Sequence, residues 1–207
     1  HQALGASVSR RSRIGVGVIL EGSPEAYAAG SLFMACARGG YVGLARLAGN
    51  RLAVAAALDP AFVSDRRGAT ASVREVLRCA GLPWLDGLED APWRGTPPLT
   101  RRRAGVAAER MFLIGDAAGY VEPFTGEGIG WALAAGAAVA AMAVSASRRW
   151  EPALAASWPS RYRRLIGSRQ GAWRILTQTL RWPRLAEAAL RLVSCQPQLA
   201  EPMLQHL

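Results

Sequence analysis

Met111-Phe112-Leu113-Ile114-Gly115-Asp116-Ala117-Ala118-Gly119-Tyr120-Val121-Glu122-Pro123-Phe124-Thr125-Gly126-Glu127-Gly128-Ile129-Gly130-Trp131-Ala132 is the stretch around which the chain is organised. Residues 111–114 are a short apolar run of the length a buried strand has. Gly115 and Asp116 end it, with an acid at the carboxyl end of the strand. Pro123, Gly126 and Gly128 punctuate a loop. From Ile129 an Ala-rich, charge-free run continues to Ala146, and it reads as a buried helix.

This order of features suits a ligand rich in hydroxyls and carbonyls. A carboxylate at a strand end accepts hydrogen bonds from hydroxyls, and such a charge-assisted bond contributes about 1.5–3 kcal/mol. Gly126 and Gly128 carry no side chain, so a flat ring can approach the backbone. The helix that follows presents free N–H groups and about half a positive charge. A flavin uses all three features. It has ribityl hydroxyls, a planar ring, and an N1–C2=O edge that turns negative on reduction.

Residues 115–133, GDAAGYVEPFTGEGIGWAL, resemble the second FAD motif of flavoprotein oxidoreductases related to geranylgeranyl reductases and to aromatic hydroxylases of the p-hydroxybenzoate hydroxylase type. Gly-Asp-Ala, then Pro, then Gly-x-Gly at fixed distances and a helix is a specific pattern. The resemblance implies that Gly115, Asp116, Ala117, Pro123, Gly126, Glu127, Gly128 and Ile129 bind FAD. Asp116 would hold a ribityl hydroxyl, Pro123 would shape the loop at the ring, and the amides of 126–129 would face the N1–C2=O edge. Phe124 and Tyr120 would border the ring or the substrate. Relatives carry a Gly-Tyr-x-Trp pattern on a substrate-domain strand. Here Gly40 and Tyr41 match it, and Gly43 stands where the relatives have Trp. Tyr41, Gly43 and Phe124 are therefore the substrate candidates, with a roomier pocket expected at Gly43.

Composition narrows the alternatives. The chain has 207 residues and is 51% hydrophobic, enough for a sizeable core. Its formal charge is +10, and all 25 basic residues are Arg. Without Lys there is neither a Schiff-base lysine nor a P-loop lysine. The arginines are scattered or in short groups, with no aromatic-interleaved stripe, which argues against a nucleic-acid partner. Histidine occurs only as His1 and His206, which argues against a Ser-His-Asp or Cys-His site and against His-based metal sites. Cys36, Cys79 and Cys195 are far apart and fit buried thiols in a reducing cytoplasm. Residues 128–147 carry no charge and precede Arg148 and Arg149, as a membrane span would. Their Ala content makes them weakly apolar, so membrane association is the minor reading.

In chain order, residues 1–5 read as the tail of a helix capped by Gly5. Residues 14–20, 31–37, 41–47 and 51–58 read as antiparallel strands, with a hairpin turn at Gly49 and Asn50. Gly15 and Gly17 mark close approach or a bulge rather than a dinucleotide fingerprint. Residues 70–80 read as a helix with Ser72 and Glu75 as a capping box. Residues 95–103 read as an extended crossing segment, and its three arginines are candidates for a phosphate or carboxylate. Residues 150–207 read as helical and amphipathic, with Tyr162, Leu165, Ile166 and Trp173 on one side and a break at Trp182 and Pro183.

The expected fold is α+β, as part of an α/β flavoprotein. A substrate-domain sheet with a connecting helix would occupy residues 1–103. The return strand and long helix of the FAD domain would occupy 104–147, and C-terminal helices 148–207. The chain contains no G-x-G-x-x-G β-α-β unit. The reading is therefore of the C-terminal part of a longer FAD-dependent oxidoreductase acting on a small organic substrate, with NAD(P)H as a reductant the resemblance allows. Alkene reduction of the geranylgeranyl reductase type is the first expectation, and hydroxylation or halogenation the second. A non-catalytic fragment or a membrane-associated helical protein is the alternative from a different class. No catalytic acid, base or metal ligand is singled out.

Overall fold

A computed structural model describes residues 4–167, except Pro123 and Thr125, together with positions 170, 171, 179, 182, 188, 191, 192 and 194–196. The reading of residues 1–5 as a helix tail falls largely outside this set. So do the position of Trp173 and the helical reading of 185–193.

The chain runs β1 (Ala6–Val8), β2 (Ile14–Glu21), β3 (Leu32–Ala37), β4 (Gly40–Leu47), β5 (Arg51–Leu58), α1 (Pro60–Asp65), α2 (Ala69–Cys79), β6 (Arg94–Pro98), β7 (Arg101–Arg103), β8 (Ala107–Ala108), β9 (Met111–Phe112), α3 (Gly115–Ala118), β10 (Gly119–Tyr120), α4 (Gly128–Arg148) and α5 (Pro152–Tyr162). A π-helical turn, Arg163–Gly167, extends α5. The class is α+β. Two compact units divide the described residues, 11–99 with 179, 182, 188, 191, 192 and 194–196 in one and 4–10 with 100–167, 170 and 171 in the other.

The first unit is a five-stranded antiparallel sheet in the order β3-β4-β5-β2-β6, with α2 against one face. Alternation sets that face. Val18 and Leu20, Val42 and Leu44, and Leu52, Val54, Ala56 and Leu58 share one core with Val73, Val76 and Leu77 of α2. Gly49 and Asn50 both have positive φ in the β4–β5 turn, as expected of those residues. Gly15 also behaves as expected. The β2–β6 register shifts between Ile14 and Val16, and Thr96 Oγ1 accepts from the Gly15 N–H at 3.0 Å. The capping box is not formed. Gly68 is the N-cap, Ser72 donates back to Gly68 O at 2.7 Å, and Glu75 pairs with Arg78. Ser72 lies inside the first turn rather than at the N-cap, so its hydroxyl bonds back to the carbonyl four residues before it.

The second unit holds the sheet β1-β7-β10, the hairpin β8-β9, and α3, α4 and α5. Its core is Ala118, Ala135, Met142, Trp158, Tyr162 and Ile166. The helix expected over residues 129–146 is present as α4, but it is not a buried helix. Among its residues only Ala135 and Met142 are buried, and Ile129 and Leu133 are 76% and 70% exposed. An all-round apolar composition reports no direction, so it cannot tell a helix with one packed face from one packed on every side. By length and composition α4 could cross a membrane.

Candidate functional site

The site begins with how the chain enters it. β9 pairs antiparallel with β8, and the Leu113 N–H donates to Val106 O at 2.8 Å. Leu113 O accepts from the indole N–H of buried Trp158 at 3.0 Å. The strand end is thereby tied to α5. Gly115 then adopts φ +51, in the left-handed region that favours glycine. A Cβ at Gly115 would stand 3.1 Å from Ala132 Cβ, so α4 passes close over the turn.

This turn places Asp116 in α3, a single turn of helix, rather than at the end of a strand. Ala117 O accepts from Arg103 Nε at 3.0 Å, and Arg103 Nη1 donates to Leu4 O at 3.1 Å, fixing the turn to β7 and the segment before β1. The Asp116 carboxylate lies against the start of α4, with Oδ1 3.9 Å from where a Gly128 Cβ would sit. The first turn of α4 has no side-chain cap, so its amides and the positive end of its dipole face that region.

A cavity of about 410 Å³ opens here, within the usual range of small-molecule sites. Gly115, Asp116, Gly126, Glu127, Gly128 and Ile129 line it, together with Phe124. Ala117 does not line it, and Pro123 lies outside the described residues. Tyr41 and Gly43 belong to the other unit. Tyr41 is 4% exposed, with the Arg13 guanidinium 5.5 Å from its ring centroid. Gly43 does not open a space, because Met34 Sδ stands 3.1 Å from where its Cβ would be.

The cavity also gathers side chains that the motif did not single out. Trp131, Tyr162, Gln170 and Glu122 line it, beside Tyr120, which the sequence already placed at the ring or substrate. Trp131 follows Glu127 by four residues, one helical turn, and that spacing was the available signal. The Tyr120 phenol is pushed above its ordinary range by burial and then by the nearby Asp116 carboxylate, while Arg101 pulls the other way. It stays protonated near neutral pH and can donate.

Whether a flavin fits can be judged from this donor set. A carboxylate beside an uncapped helix start suits ribityl hydroxyls and a ring carbonyl. Open space around Gly126 suits a flat ring. Two buried polar atoms in the wall, Glu127 Oε1 and Trp131 Nε1, have no partner among the described residues. The residues fit the group.

No family model matches the chain, and no curated protein matches it. Solved structures do. The myxobacterial chondrochloren halogenase CndH, an FAD-dependent halogenase, is 18% identical with a TM-score of 0.64, over 98% of this chain and 53% of its own. A Diels-Alderase of the pyrroindomycin pathway is 17% identical with a TM-score of 0.66, over 93% and 42%. The flavin-dependent halogenase CmlS is 18% identical with a TM-score of 0.57, over 77% and 31%. These likenesses show the fold. The chain spans about a third to a half of the length of these structures.

Proposed function

We propose that the chain supplies the ring-and-ribityl part of an FAD site in a redox enzyme acting on a small organic substrate. The observation that carries this reading is the cavity at the start of α4, where Asp116, the uncapped amides and two unpartnered polar atoms converge. Asp116 accepts from the ribityl chain, and the amides of 126–129 address a ring carbonyl. Tyr120 and Phe124 border the ring. The flavin supplies the two-electron chemistry, while these residues bind and orient it. The sequence holds no G-x-G-x-x-G motif for the pyrophosphate, so FAD affinity from these residues alone is weak.

Replacing Asp116 by Ala removes one charge-assisted acceptor, worth about 1.5–3 kcal/mol. FAD affinity in the protein carrying this chain then falls about ten-fold or more. Flavin absorbance retained through gel filtration measures it, and unchanged retention counts against the reading.

The motif at residues 115–133 resembles that of alkene reductases and of aromatic hydroxylases alike, and alkene reduction is the first reading of it. The similarity to FAD-dependent halogenases supports an oxygen-using reaction instead. Turnover with a reductant under anaerobic conditions favours the first, and an absolute requirement for oxygen the second. Either step is proposed for the cytoplasm.

A further inference from the structure

Glu127 Oε1 and Trp131 Nε1 are shielded from water and have no hydrogen-bond partner among the described residues. Both residues line the cavity at the start of α4. Glu127 is the N-cap and Trp131 lies in the first turn, four positions on, so the two side chains lie on one side of the helix. They do not bond each other. An indole N–H can only donate, and an ionised carboxylate can only accept. Leaving either atom shielded and unanswered costs about 1–3 kcal/mol. A ligand that answers both must present a donor and an acceptor side by side.

An imide edge has that pattern, an N–H flanked by two carbonyls. The pyrimidine ring of a flavin carries one at N3. Resting on the flavin reading above, we infer that Glu127 Oε1 accepts the flavin N3–H while Trp131 Nε1 donates to a flanking ring carbonyl. The loop amides address the N1–C2=O edge, and these two side chains address the N3 side. They are positioning residues. They set which edge of the ring enters the cavity, and they select against a ring substituted at N3.

Riboflavin is the probe, because it carries the ring and ribityl chain without the pyrophosphate. Quenching of its fluorescence by an excess of the protein that carries this chain gives the affinity, with 3-methylriboflavin as the paired ligand. Wild-type protein is expected to prefer riboflavin about ten-fold, the effect of one lost hydrogen bond to a charged acceptor. Glu127→Ala abolishes the preference. Trp131→Phe weakens both ligands roughly five-fold and keeps the preference, since the carbonyl it addresses is present in each. Equal wild-type affinity for the two flavins overturns the N3 assignment and leaves the flavin site standing. No riboflavin binding by the protein that carries this chain, up to the solubility limit, overturns both. Should Glu127→Ala fail to fold by circular dichroism, the wild-type ratio alone decides.

Discussion

A guanidinium with no exposure to solvent has to be answered from inside the protein. The Arg13 side chain is fully buried, its Nε lies 3.5 Å from Asp59 Oδ1, and it stands over the Tyr41 ring. Tyr41 reads from the sequence as a residue of a substrate pocket. In the structure it is a core aromatic whose ring faces a buried cation. Asp59 is 26% exposed, so solvent screens its side of the pair. Asp59→Asn removes the acid that faces the buried guanidinium. Breaking a buried pair costs about 3–5 kcal/mol, and the partial exposure places this change at the lower end, about 3. Urea unfolding followed by circular dichroism measures it, and a loss below about 0.5 kcal/mol would mean that other groups carry Arg13. Nothing in the sequence singles out Arg13. It is one of 25 arginines, and the groups it meets, Tyr41 and Asp59, are distant from it in sequence. Asp116 was legible for the opposite reason. Its neighbours Gly115, Gly126 and Gly128 are local constraints on one turn, and the sequence states them together.

Elements were legible where the pattern has a direction. The strands from 14 to 58 alternate, and the structure gives β2, β3, β4 and β5 within a residue or so of the expected ends. Asp59 and Pro60 suit the end of a strand as well as the start of α1, where Pro is a favoured first helical residue, so the pattern there has no direction of its own. Strands β1 and β7 pair across nearly half the chain in three-residue segments, too short to show a period. Helix α4 was legible in existence and length, but its burial was not. Ala135 packs in the core while Leu133, two residues away, is 70% exposed. Ala135→Leu is therefore expected to cost about 1–3 kcal/mol through overpacking. Leu133→Gln is expected to change stability by no more than about 0.5 kcal/mol. Thermal melts of the two variants separate a one-faced helix from one packed all round, because the second would make Leu133→Gln the more damaging change.

At the scale of the molecule, most buried apolar side chains among the described residues fall into two clusters. One is centred on the β-sheet and α2, the other on α4, α5 and the Asp116 turn. Each cluster belongs to one of the two units, and a unit with its own core can open without dissolving the other. A single two-state transition is then the wrong description of unfolding. Differential scanning calorimetry is expected to resolve two transitions. Leu44→Ala removes a fully buried side chain from the sheet core and should cost about 2–5 kcal/mol, lowering one transition. Trp158→Phe leaves Leu113 O without its donor and should cost about 1–3 kcal/mol, lowering the other. The second change also bears on the flavin cavity, because Leu113 O lies on the strand end that leads into Gly115 and Asp116. Riboflavin affinity should therefore fall with Trp158→Phe and hold with Leu44→Ala. If both substitutions move one common transition, the two cores melt as one cooperative body, and the separation of ligand effects fails with it.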